Sequence, residues 1–118
     1  MSKLFDAIKK CIDAFGKDII KDKKIVNILA DYHAYDGKPA FKHVFSAIVN
    51  GGYAKHLLDG KNQQVQIMRD IAEISNDYGF RRELVQEVYE SIIASMQLAV
   101  EIESEPFVKN NVNDAARR

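Results

Sequence analysis

The stretch LFDAIKKCIDAF, residues 4–15, decides the fold class. Its apolar side chains, Leu4, Phe5, Ile8, Cys11, Ile12 and Phe15, recur at i, i+1, i+4, i+7, i+8 and i+11. That spacing lines one face of an α-helix and neither face of a strand. Ser2 is the expected N-cap, and Asp6 falls in the first turn, where the positive pole of the helix favours a carboxylate. Gly16 is the natural stop.

The same period continues outward. After a short apolar step at Ile19 and Ile20, Asp22 is placed to cap a second helix with the stripe Ile25, Val26, Ile28, Leu29 and Tyr32. Residues 31–39 (DYHAYDGKP) are turn-like, with Asp36-Gly37 the clearest breaker and Pro39 suited to a first helical turn. Phe41, Val44, Phe45, Ile48 and Val49 predict a third helix, ended by Asn50-Gly51-Gly52, and Tyr53 to Leu58 predicts a short helix or turn. Asn62 is the expected cap of a further helix with Val65, Met68, Ile71, Ala72 and Ser75 on one face, broadened by Ile67, Ile74 and Tyr78 and stopped at Gly79. The last long stripe runs Leu84, Val85, Val88, Tyr89, Ile92, Ile93, Met96 and Val100. Almost nothing alternates at period two, so no sheet is expected.

The fold class is therefore all-α: a compact, orthogonally packed bundle of five to six helices, two or three of them short. Phe5, Ile8, Ile12, Leu29, Phe45, Ile48, Met68, Ile71, Val88 and Ile92 are expected at its centre. A chain of 118 residues is long enough to bury such a core as one domain. The helical domain is expected over residues 1–100. Residues 101–118 lose the periodicity and are expected to form a frayed tail or linker.

Charge bounds the function. The chain is neutral overall, with 17 basic and 17 acidic residues, which disfavours strong non-specific attraction to nucleic acid or to an anionic membrane. The balance hides an asymmetry: residues 1–61 carry 11 lysines against 7 aspartates, and residues 62–118 carry 6 basic against 10 acidic residues. Either the halves attract each other within one fold, or a basic and an acidic face meet different partners or dock head to tail. No apolar run approaches the roughly 18 residues of a membrane span, and the amphipathic N-terminus with Lys9 and Lys10 lacks the order of a signal peptide. With Cys11 the sole cysteine, no internal disulfide can form, and a cytoplasmic location is expected.

The residues that carry chemistry do not converge. His33 with Asp31 and Asp36, and His43 within possible reach, is the best local cluster for a metal, but such loop residues more often serve turns and caps. No nucleophile stands beside a base in a recognisable motif, and Ser46, Ser75, Ser91 and Ser95 read as small spacers between helices. Asn50-Gly51-Gly52 is too short for a phosphate cradle and lacks its Lys-Ser/Thr pair. The carboxylates Asp70, Glu73, Asp77, Glu83 and Glu87 at helical spacing read as a solvated face. No catalytic, cofactor or metal residue is assigned and no enzyme activity is expected. The candidate partner-binding residues are the aromatic loop Tyr32, His33, Tyr35 and Lys38, with Phe80 beside a turn, and the modest basic patch at Lys21 and Lys24. Among these, Tyr35 is the expected exposed contact.

Three further segments, FGKDIIKD (15–22), KIVNILADY (24–32) and Tyr78-Gly79-Phe80 leading into an amphipathic helix, together with an Ala47–Gly52 step ahead of Leu57-Leu58, carry a resemblance. Over about residues 3–100 the chain resembles a small helical accessory domain of bacterial proteins, similar to units appended to Hsp70-like chaperones, kinases and other multidomain proteins, with relatives in gut Bacteroidetes. Where that pattern has charged residues after Leu-x-Asp, here Leu29-Ala30-Asp31, this chain has Tyr32-His33-Ala34-Tyr35. The resemblance implies a non-enzymatic protein–protein interaction or adaptor module, its protein partner unknown. The alternatives are a homo-oligomeric structural module and, third, a helical bundle with a small-ligand pocket between its helices.

Overall fold

The computed structural model describes residues 3–98 and 100. It is an all-α bundle: α1 (Lys3–Phe15), a 3-10 helix (Lys17–Lys21), α2 (Lys24–Asp31), α3 (Ala40–Asn50), a second 3-10 helix (Tyr53–Leu57), α4 (Gln63–Tyr78) and α5 (Arg82–Met96). No strand occurs among the described residues, and no helix there is long and apolar enough to cross a membrane. The expected tail over 101–118 and the expected cap at Ser2 lie outside the described residues.

α5 is the hub. It packs against α1, α3 and α4, and Val85, Val88, Tyr89 and Ile92 are fully buried. Two of its small residues let α1 approach. Ser91 donates to the Glu87 carbonyl at 3.1 Å, and the Ser95 hydroxyl is shared between the Ser91 carbonyl at 2.6 Å and the Phe5 carbonyl of α1 at 3.2 Å. These serines thus satisfy themselves inside the bundle while removing the bulk a leucine would add. Ile8, Leu29, Phe45, Ile48 and Ile71 fill the remaining centre, each fully buried.

The junctions follow local chemistry. The Gly16 N–H closes α1 on the Ile12 carbonyl at 2.8 Å. Asp22 accepts the Lys24 N–H at 2.9 Å and so opens α2. After α3, Gly51 leaves room for the Tyr53 ring, which a Cβ would meet at 2.6 Å, and Gly52 takes φ 79°, a left-handed conformation that suits glycine. Asn62 stands ahead of α4 as expected, but with φ 51° and no side-chain bond to the helix: its contribution is the turn and not the cap.

Four expectations are corrected. Phe5, Ile12 and Met68 lie at the core edge, partly exposed, and not at its centre. Phe15 projects past the end of the α1 stripe and is 56% exposed. The buried face of α4 is Ile67, Asp70, Ile71 and Ile74, rotated from the expected one, so that Val65 is 62% exposed. α5 stops at Gln97, with φ 58°, short of Val100, although Leu98 and Val100 still pack on the core.

Candidate functional site

α2 presents Lys24 and Ile28 along one face, since residues four apart share a side of a helix, and Tyr32 follows at its C-terminal end. α1 lies against it, and two clefts open along their common seam. At one end Phe15, Ile19, Ile28 and Lys24 meet Asp18 and Asp22 around about 320 Å³. At the other, Lys3, Asp6, Lys10, Tyr32, His33 and Asp36 surround about 390 Å³. The first cleft uses the C-terminal end of α1 with the start of α2, and the second uses the N-terminal half of α1 with the end of α2. The two helices therefore run antiparallel, with one cleft at each end of the seam.

Electrostatics shape the second cleft. The Lys10 ammonium lies 5.8 Å from the centre of the Tyr32 ring. Asp36 sits between Lys3 at 3.7 Å and His33 Nδ1 at 3.5 Å. All three partners are more than half exposed, and screened pairs of this kind contribute little to stability. They do fix where charge is offered. His33 adopts φ 64°, a conformation uncommon for a residue with a side chain.

The sequence-derived candidates separate under this geometry. Tyr32 and His33 come together in the second cleft, and Lys24 lines the first, at the other end of the seam. Lys21 is exposed at the end of the first 3-10 helix. Lys38 faces elsewhere: its Nζ lies 3.2 Å from Glu87 Oε2 and 5.4 Å from the centre of the Phe41 ring, in a cleft shared with Arg81 and Leu84. Phe80 stacks on Tyr78 at 5.8 Å where α4 hands over to α5. Tyr35 is a correction. It is not an exposed contact but a buried clamp, 9% exposed, whose hydroxyl donates to the Val26 carbonyl of α2 at 2.9 Å. Its loop is drawn inward because Ala34 also folds under it, with its N–H on the Leu29 carbonyl at 3.0 Å. Among the described residues, no group of three or more His, Cys, Asp or Glu is arranged to hold a metal ion.

A second polar constellation went unread in the sequence. Asp70 is not on a solvated face: it is 1% exposed on the inner side of α4. His56, on the second 3-10 helix, places Nδ1 2.6 Å from Asp70 Oδ2, and Gln66 Nε2 donates to Asp70 Oδ1 at 3.0 Å. Gln63 Nε2 donates to the carbonyls of His56 at 3.1 Å and Leu57 at 3.0 Å, holding that 3-10 helix against the start of α4. Burial, and then the charge of Asp70, hold the Tyr89 hydroxyl well above its ordinary range. The signal for Asp70 was its position three residues after Ile67 and four before Ile74, inside the stripe itself. No known protein family, curated protein or solved structure significantly matches the chain.

Proposed function

We propose that this chain is a protein-interaction module that docks a partner segment along the α1–α2 seam. The observation that carries the reading is the pairing of two exposed aromatic side chains, Phe15 and Tyr32, with clefts at the two ends of one helix pair. Single exposed apolar residues are ordinary on a protein surface; aromatic anchors beside concave sites are what interfaces use. Lys24 to Tyr32 spans about 12 Å along α2, a length that an amphipathic partner helix of two to three turns covers in a helix-in-groove mode. Phe15 and Ile28 would receive its apolar side at one end and Tyr32 at the other. Lys24, Lys10 and Asp36 would set its direction. The adaptor role implied by the resemblance over residues 3–100 supports the same reading. The sole thiol, Cys11, is buried and so fits a cytoplasmic setting as well as any other small apolar residue does.

The test is capture of partners from a lysate of the cells that make the protein, quantified against two variants. One carries Phe15→Ser and Tyr32→Ala on the seam; the other carries Val65→Ser, an exposed apolar residue of α4. The expected result is a partner retained by wild type and by the Val65→Ser chain and lost by the seam variant, with all three chains melting alike. A partner retained by the seam variant, or lost equally by both, would overturn the seam as the docking site.

A further inference from the structure

We propose that His56 is a nucleophilic imidazole, a site whose Nε2 takes an acyl group from small activated carbonyl compounds. The argument starts from Asp70. A carboxylate that is 1% exposed among Ile67, Ile71, Ile74 and Tyr89, all fully buried, is costly unless it is paired and hydrogen-bonded. Gln66 satisfies one oxygen and the His56 ring the other. With Asp70 ionised, the 2.6 Å contact assigns Nδ1 as the hydrogen-bond donor, since a carboxylate only accepts. In the neutral ring the remaining lone pair then resides on Nε2. The His56 side chain is 26% exposed against 1% for Asp70, so the pair sits at the edge of the core and not sealed within it.

This is the arrangement in which a carboxylate orients an imidazole and stabilises the positive charge that forms on it. In the step proposed, the Nε2 lone pair attacks the carbonyl carbon and an N–C bond forms. The bond from that carbon to its leaving group breaks, and the leaving group departs with the electron pair. The ring, still carrying its proton on Nδ1, becomes cationic, and the Asp70 carboxylate beside it offsets that charge in a medium of low dielectric. Water then hydrolyses the acyl-imidazole, returning the carboxylic acid and a proton. Positioning of the ring depends on Gln63, which pins the carbonyls of His56 and Leu57, and on the left-handed turn at Asn62 immediately before it.

The other two histidines supply an internal control. His33 and His43 are both exposed, and neither pairs with a buried carboxylate among the described residues. The probe is diethyl pyrocarbonate, an activated carbonyl compound that leaves a carbethoxyl group on an imidazole. It is applied to the intact folded chain at about pH 8, above the ordinary imidazole range, and the rate at each histidine is read by peptide mass spectrometry. Accessibility alone would make His56 the slowest of the three. The expected result is that His56 reacts several-fold faster than His33 and His43, and that Asp70→Asn brings it down to or below them. A His56 rate at or below those of His33 and His43 in the wild-type chain overturns the proposal, and that comparison needs no variant to fold. An unchanged order in a folded Asp70→Asn chain overturns the assigned cause.

Discussion

Substitution of Tyr35 separates a contact residue from a structural one. Two changes isolate its two parts. Tyr35→Phe removes only the hydroxyl, which donates to the Val26 carbonyl at 2.9 Å. Val26 lies within α2, so its carbonyl keeps an intrahelical partner and the loss is that of one net hydrogen bond, about 0.5–1.5 kcal/mol. Tyr35→Ala removes the ring as well. The residue is 9% exposed, and emptying such an aromatic site costs about 3–5 kcal/mol. For a domain of this size a kcal/mol lowers the melting temperature by roughly 4–8 °C. The phenylalanine variant should therefore melt several degrees below wild type, and the alanine variant well over ten degrees below. Urea denaturation at constant slope gives the same order as a free energy. Two outcomes would refute the reasoning. An alanine variant within about 0.5 kcal/mol of wild type would place Tyr35 at the surface, and a phenylalanine variant as damaging as alanine would locate the whole effect in the hydroxyl.

Two further expectations follow from burial. Phe45→Ala and Ile71→Ala each empty a fully buried site and should cost about 2–5 kcal/mol in a thermal or chemical melt; an unchanged melt for either would overturn the helix register. Stability should also fall in alkali: burial pushes the Cys11 thiol from 9.0 up to about 11 and raises Tyr35 and Tyr89 above their ordinary 10.0. The fold favours the protonated forms, so this contribution is complete below pH 9.0 and is lost as the pH rises through about 11 for the thiol. Denaturation midpoints measured across that window should decline, less steeply for Cys11→Ala, and a flat profile would contradict the burial of these groups.

Much of the fold was legible because its signal is local. The α1 stripe, its stop at Gly16, the breaker at Asp36-Gly37 and the end of α3 at Asn50-Gly51-Gly52 each depend on neighbours in sequence, and each appears where its chemistry places it. The failures share a different cause. Tyr35 sits among Asp, His, Gly and Lys, and its inward turn rests on the carbonyl of Val26, nine residues earlier, and on Ala34 tucked against Leu29. Asp70 looks like one more charge on a helix until His56, fourteen residues away, is brought over it. A polar residue inside an apolar stripe shifts the apparent register: counting only apolar positions centred the face on Val65, Met68, Ile71 and Ala72 with Ile67 and Ile74 at its margin, whereas admitting Asp70 makes Ile67, Ile71 and Ile74 the centre. The seam was half legible. Tyr32 and Lys24 stand eight apart on one helix in the sequence, but Phe15 joins them only because α1 lies antiparallel to α2.

The charge asymmetry between the halves takes on a narrower meaning in the fold. Lys38–Glu87 and His56–Asp70 join the two halves. The first is about half exposed at both ends, and an exposed pair of this kind contributes at most about 1 kcal/mol. The second is one partly buried contact. Attraction between a basic and an acidic half is thus not what holds the bundle; the apolar contacts of α5 with α1, α3 and α4 are. Lys21, Lys23 and Lys24 form no ion pair among the described residues, and all are exposed. Charges that the fold does not use can be reversed without loosening it, whereas the aspartates beside them, Asp22 above all, also open a helix. Lys24, beside the Phe15 cleft, is therefore where binding and stability come apart most cleanly, and a charge reversal there reports on a partner and on little else.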